Sequence, residues 1–298
     1  MCMNRYLPGV LLGAIAFSLT AQTVLFNDPV PWATMRSRHL VLKAQVDTAS
    51  VAQGGLSVDV YAVIDGQSRL AGRKRFNPDD YSMVFDMGSI GRDLVGGHDY
   101  FRIDWSVAGS DDKGSCYPVG FAVLEKKEPP VIVRADSTSS IEAYTGPFDV
   151  TVGQVQFAAL WNKNYLAFSF RRDSEITGYV ELFIDGKNAK NAFLSYPDRV
   201  IRYFPHGDSA VTRHYTRSLK GDVIEYAEQE WHTDFFTVQT DEVTIVLVPW
   251  YDPGVIPFVD RTVGFAAFYQ ESDGTLVAYP SQAQREVPAT WGNLVLVR

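Results

Sequence analysis

Cysteine is almost missing from this chain: two occur in 298 residues, Cys2 and Cys116. Cys2 precedes an apolar run instead of following one, so it is not placed to accept a lipid. Without it Cys116 stands alone, and no intrachain disulfide can form. With no histidine near it in sequence, Cys116 reads as a small buried hydrophobe and not as a nucleophile. A basic surplus is missing too. The formal net charge is −8, from 27 Lys and Arg against 35 Asp and Glu, and phosphate backbones need a basic footprint, which excludes nucleic acid as a partner. No apolar run after residue 21 is long enough to cross a bilayer as a helix. Long Ala, Leu, Glu and Lys segments of helical period are lacking, while aromatics make up 13% of the chain, a balance that leans toward an all-β protein.

Catalytic signatures are lacking as well. The five histidines, His39, His98, His206, His214 and His232, show no HExxH spacing and no cysteine partners, which argues against zinc. A Gly-x-Ser-x-Gly elbow and phosphate-cradling glycine loops do not occur, which removes the usual hydrolase and nucleotide readings. A glycosidase needs two carboxylates flanking a cleft, and sequence spacing names no acid partner for the most suggestive one, Glu181. The expectation is a protein that is not an enzyme.

What is present begins with Met1 to Ala21, a short polar start with Arg5, an apolar run from Leu7 to Leu19 and small residues at its end. That is the layout of a secretory signal peptide, implying a secreted, periplasmic or cell-surface protein with no transmembrane segment after cleavage. Residues 22–129 read as an immunoglobulin-like β-sandwich: His39–Val46, Leu56–Ile64, Ser68–Phe76, Tyr81–Asp86, Tyr100–Ala108 and Tyr117–Leu124 are short strands separated by turn chemistry such as Asp65-Gly66. The charged, proline-bearing stretch Glu125-Lys126-Lys127-Glu128-Pro129-Pro130 marks a boundary. Residues 130–298 then read as a larger antiparallel β-sandwich.

Its organising stretch is Ala159 to Asp185. Tyr165 to Phe170 is a buried strand announced by the turn residues Asn162-Lys163-Asn164. In Tyr179 to Asp185, period two places Val180, Leu182 and Ile184 on one face and Tyr179, Glu181, Phe183 and Asp185 on the other. A carboxylate between aromatic rings is the kind of surface that holds a polar, ring-shaped ligand.

The order of Ala159-Leu160-Trp161-Asn162-Lys163-Asn164-Tyr165-Leu166, Tyr179-Val180-Glu181-Leu182-Phe183-Ile184-Asp185, Val248-Pro249-Trp250, Val263-Gly264-Phe265 and Trp291-Gly292-Asn293-Leu294-Val295-Leu296 resembles the family 9 carbohydrate-binding modules. The resemblance covers the second domain and none of the first. It implies a β-sandwich module that binds a polysaccharide or oligosaccharide beside degrading enzymes. Separately from the resemblance, the N-terminal domain is the expected contact for an enzyme or surface-protein partner. In such modules tryptophans clamp a sugar ring while a carboxylate and an arginine bond its hydroxyls; carried over, these fall on Glu181 and Arg202. The clamp does not carry over: Ser174-Glu175-Ile176-Thr177-Gly178 and Gln284-Arg285-Glu286-Val287 stand where the tryptophans should be. Tyr179, Tyr203 and Tyr279 are the rings left to hold a sugar. Asp185, Asp260, Glu271 and Asp273 carry oxygens that a structural calcium ion would take, as in some modules of this kind; no other cofactor is implied.

Plainer readings stand beside these. Glu181 and Arg202 on adjacent strands would simply pair across a sheet face, and Trp161, Trp250 and Trp291 would pack in the core. A structural or adhesive surface module that has lost sugar binding is the alternative to a carbohydrate-binding one, and an enzyme with an unrecognised site is a third.

Overall fold

The structure, a computed structural model, describes residues 24–37, 39–46, 55–76, 82–87, 97–109, 111, 113–122, 129–135, 147–230 and 235–298. The signal-like segment and most of the expected boundary lie outside them. The first eight strands are β1 (Val24–Asp28), β2 (Thr34–Met35), β3 (His39–Val46), β4 (Leu56–Ile64), β5 (Gln67–Phe76), β6 (Ser82–Asp86), β7 (Tyr100–Val107) and β8 (Lys113–Phe121). They form a sheet of order β1-β3-β6 and another of order β2-β8-β7-β4-β5. Strand β4 shows why two sheets are needed: Leu56, Val58, Val60 and Ala62 alternate toward one face and are fully buried. They join Leu40, Leu42 and Phe85 of the opposite sheet in one core, the arrangement of a sandwich. Asp65 and Gly66, at φ 50 and 73, make the two-residue turn between β4 and β5, a geometry that needs positive φ at both positions. Trp105 and Cys116 are core residues of this sandwich, and burial pushes the Cys116 thiol pKa up.

The remaining strands are β9 (Val131–Ala135), β10 (Val150–Val152), β11 (Val155–Trp161), β12 (Tyr165–Arg171), β13 (Tyr179–Asp185), β14 (Arg199–Phe204), β15 (Ser209–Lys220), β16 (Val223–Glu230), β17 (Phe236–Gln239), β18 (Val243–Pro249), β19 (Thr262–Gln270), β20 (Leu276–Tyr279) and β21 (Gly292–Val297). They build one 13-stranded sheet in the order β16-β15-β14-β13-β19-β21-β9-β11-β12-β18-β17, with β10 added to β11 and β20 to β19. The sheet doubles back on itself into two layers. Across the fold, Phe168 of β12 stacks on Phe265 of β19 with ring centroids 5.9 Å apart, and Phe170 stacks on Tyr203 of β14 at 4.2 Å. The same core takes Val180, Leu182 and Ile184, the aliphatic face of β13. Pairing is antiparallel except at β9, which runs parallel to both β11 and β21 and carries the sheet from one layer to the other. Trp161, Trp250 and Trp291 are 8%, 4% and 0% exposed, so all three serve packing.

Among the described residues no strand pairs across the two sandwiches, yet they share a third cluster. Val63, Tyr100 and Ala122 of the first pack with Ala192, Phe193, Ile224, Val287 and Ala289 of the second. Tyr100 donates to the Asp222 carbonyl at 3.1 Å, Tyr226 donates to the Gly97 carbonyl at 2.7 Å, and the Arg217 guanidinium lies 4.4 Å from the Trp32 ring. Gly120 permits the contact, since a Cβ there would stand 2.4 Å from that of Ala192.

The segment before β14 holds a buried acid. Asp198 accepts from the Ser195 backbone N–H at 2.7 Å and hydroxyl at 2.8 Å. Burial, helped by the nearby Asp185 carboxylate, pushes its pKa up to about 7. The folded state therefore holds a proton that the unfolded chain releases near pH 4, so this group's contribution is fullest below that value and is lost as pH rises toward 7. Asp198→Asn keeps an acceptor for Ser195 and has no charge to bury. It is expected to raise the melting temperature by ~5 °C at pH 8 and to leave it unchanged at pH 4, read from thermal melts at the two pH values.

Candidate functional site

The outer face of β13 is the centre of the candidate site, and a glycine sets where it begins. Gly178 has φ 104, and a Cβ on it would fall 2.2 Å from the Gln270 carbonyl oxygen. Its bare backbone lets β13 start flush against β19, with Tyr179 opposite Gln270. Two residues on, Glu181 faces Arg202 of β14 in direct register. Its side chain is only 1% exposed.

Glu181 is held from both sides. Arg202 donates from Nε and Nη2 to its Oε1 at 3.0 and 2.6 Å. Arg285 brings Nη2 to 2.7 Å from Oε2, an ion pair without an aligned hydrogen bond. Arg285 arrives on the segment between β20 and β21, anchored by fully buried Trp291. The Trp291 indole donates to the Gln284 carbonyl at 2.9 Å and meets the Phe183 ring at 5.3 Å. From this centre the network spreads. Arg202 also donates to Glu228 of β16 at 2.9 Å, where Arg213 of β15 arrives at 2.8 Å. Gln270 accepts from Arg285 at 2.9 Å and from the Tyr179 hydroxyl at 2.6 Å, and the Arg202 guanidinium covers the Tyr179 ring at 4.9 Å.

Burial dominates the electrostatics of the rim without deciding every sign. It works against the charged form of Glu228, but Arg202 and Arg213 together hold that carboxylate below its ordinary value. Burial pushes the Tyr215 phenol well above its ordinary value, with Glu181 and Glu228 adding to the effect, so it remains a neutral hydroxyl. The side chains of Arg202, Arg285 and Glu228 are 17%, 24% and 35% exposed. Solvent therefore reaches two guanidinia, a carboxylate, an amide and a tyrosine ring around a sealed acid.

The sequence expectations divide on this geometry. Glu181, Arg202 and Tyr179 do come together, and the plainer expectation of a cross-strand pair is what the first two make. Tyr203 is a correction: it is fully buried on the opposite face, where it stacks on Phe170, and burial pushes its pKa up to about 12. Adjacent strand residues face opposite sides, so Arg202 and Tyr203 could never share one. Tyr279 is a second correction, since it opposes Ala267 and packs against the inter-layer core. The calcium oxygens also fail to meet. Asp185 pairs with Gly264 and Tyr179 with Gln270, which sets Glu271 and Asp273 at the other end of β13 and β19 from Asp185, about 20 Å along the strands. Asp185 instead accepts from the Lys190 backbone N–H at 3.1 Å, and Asp273 from that of Thr275 at 2.8 Å. Asp260 has φ 68 and lies in the turn before β19, its N–H donating to Leu296. Among the described residues no three His, Cys, Asp or Glu side chains gather as metal ligands.

Sequence reading missed Arg285, Glu228, Arg213 and Gln270. Arg285 lies in Gln284-Arg285-Glu286-Val287, a stretch whose residue types alone do not say that it returns over the face of β13. The other three become visible only once strand register is known.

No protein-family model matches the chain, and no curated protein matches it. Similar solved structures include a family 9 carbohydrate-binding module from Caldicellulosiruptor kristjanssonii in complex with cellotriose, 14% identical, covering 57% of this chain and 94% of that one at a TM-score of 0.35. The FN1-FN3 domains of chicken CNTN1 are 10% identical over 90% of this chain and 66% of that one, with a TM-score of 0.22. A Corynebacterium diphtheriae protein described as membrane anchored is 11% identical over 92% and 58%, at 0.24. These are distant likenesses between all-β chains. Among the described residues no helix is long and apolar enough to cross a membrane.

Proposed function

We propose that this is an exported, non-catalytic protein of two sandwiches, 22–129 and 130–298, whose second sandwich binds carbohydrate on the outer face of β13. The observation that carries the reading is the rigid, half-open array of Arg202, Arg285, Gln270 and Tyr179, with Arg202 stacked on the Tyr179 ring. Sugar rings offer apolar C–H faces and a rim of hydroxyls, and a partly exposed aromatic edged by fixed polar groups answers both. Glu181 has a different role from the one its sequence position suggests. Sealed beneath two guanidinia, it positions them and does not touch a ligand. The N-terminal sandwich, fastened through the cluster around Phe193, would present a fixed surface to an enzyme or surface-protein partner.

A second reading, a structural or adhesive surface module without sugar affinity, is favoured by one fact: the central carboxylate is already satisfied by protein groups. Retention on an array of neutral glycans separates the two. Arg202→Ala is expected to lower retention about tenfold, the loss of one or two charge-assisted hydrogen bonds. If the wild-type protein retains no neutral glycan at high concentration, the adhesive reading stands and the saccharide one falls.

A further inference from the structure

A separate cleft lies on the opposite side of the second sandwich. It has a volume of ≈ 520 Å³ and is lined by Lys163, Asn164, Tyr165, Phe236, Trp250 and Tyr251 among others. The size is within the range of small-ligand sites. Tyr165 and Phe236 sit on the outer face of β12 and β17, pointing away from the core that buries Leu166 and Phe168. The Glu181 network is on the outer face of the other layer, so the two places cannot share a ligand.

The cleft is preformed. Asn162 Oδ1 accepts from the backbone N–H groups of Asn164 and Tyr165, both at 2.8 Å, which fixes the turn that presents Lys163. Trp250 ties that turn to the end of β18: its indole donates to the Asn162 carbonyl at 2.7 Å and its backbone N–H to that of Asn164 at 3.2 Å. Tyr165 and Phe236 meet at 88° with centroids 6.2 Å apart, forming a two-walled aromatic corner. Tyr251 is 66% exposed and Phe236 50% exposed, a large outlay of ring surface left to water. An open corner of rings accommodates a chain of sugar units better than a small flat ligand, which would need enclosure.

Charge narrows the choice. Lys163 is exposed, and among the described residues no carboxylate makes an ion pair with it. Among the described residues no Asp or Glu lines the cleft. In a protein of net charge −8 there is no general attraction for anions, so selectivity for one must come from this local ammonium.

We propose that the cleft is a second saccharide site, selective for a sugar unit that carries a carboxylate, with Tyr251 and the Tyr165–Phe236 corner taking the ring faces and Lys163 the carboxylate. Titration calorimetry with trigalacturonate and with galactotriose tests it. Trigalacturonate is expected to bind saturably, more tightly than galactotriose, and more weakly at high salt. Tyr251→Ala should weaken trigalacturonate about tenfold. Lys163→Gln should weaken it about fivefold and leave galactotriose unchanged. Arg202→Ala should leave trigalacturonate binding as in wild type. Absence of saturable trigalacturonate binding, equal affinity for the two trimers, or a loss caused by Arg202→Ala and not by Tyr251→Ala would each overturn the assignment. The last result would place acidic sugars on the β13 face instead, and the neutral-glycan reading of that face is scored independently.

Discussion

Glu181→Ala is expected to cost about 3 kcal/mol, at the lower end of the range for breaking a buried ion pair. The reason is what it leaves behind. Arg202 and Arg285 converge on that carboxylate at 2.6 and 2.7 Å, and removing it sets two guanidinia side by side with no charge between them. Both are partly exposed, which limits the loss, because water can take over some of the solvation. For a unit of this size the melting temperature should fall by ~10 °C. Glu181→Gln retains an oxygen for Arg202 but turns an amide N–H₂ toward Arg285, donor against donor, and is expected to fall between the two. Removing Arg285 together with Glu181 should restore part of the stability, because the pair is coupled. Chemical denaturation of the four proteins measures this. A loss under ~1 kcal/mol for Glu181→Ala would show that solvent reaches the face freely and that the acid does not organise it.

Trp291→Ala carries the other large effect, about 3–5 kcal/mol. The ring is fully buried beside Phe183, Ala266 and Phe268, and its truncation opens a cavity under the segment that delivers Arg285. Stability and ligand retention on the β13 face should therefore fall together. Trp291→Phe fills most of the volume and gives up the indole N–H bond to Gln284, a cost of about 1 kcal/mol. Urea melts with a glycan pull-down compare the two variants. Equal losses for Ala and Phe would mean that the hydrogen bond, and not the ring, holds the segment in place.

The strands at the heart of both sandwiches were readable because their patterns are local. His39–Val46, Leu56–Ile64 and Tyr179–Asp185 carry period-two alternation or compact apolar runs long enough to stand out, and they form where expected. Strands β2, β10 and β17 are too short for such a pattern. Strand β9 hides in a five-residue run after a proline pair, where nothing announces parallel pairing with β11 and β21. At the candidate site the division is similar. The face of β13 shared by Tyr179 and Glu181 follows from alternation alone, and the same rule excludes Tyr203 once Arg202 is chosen.

By itself the sequence determined an all-β chain, the two faces of β13 and the turn at Asp65-Gly66, because each depends on residues a few positions apart. Tertiary structure alone decided that Glu181 is closed over by Arg202 and Arg285, that the candidate calcium oxygens stand at opposite strand ends, and that Tyr165, Phe236 and Tyr251 gather around Lys163. Such meetings depend on the register of strands far apart along the chain and on where loops return. A one-residue slip in that register would turn every side chain to the other face, and no short-range pattern records it.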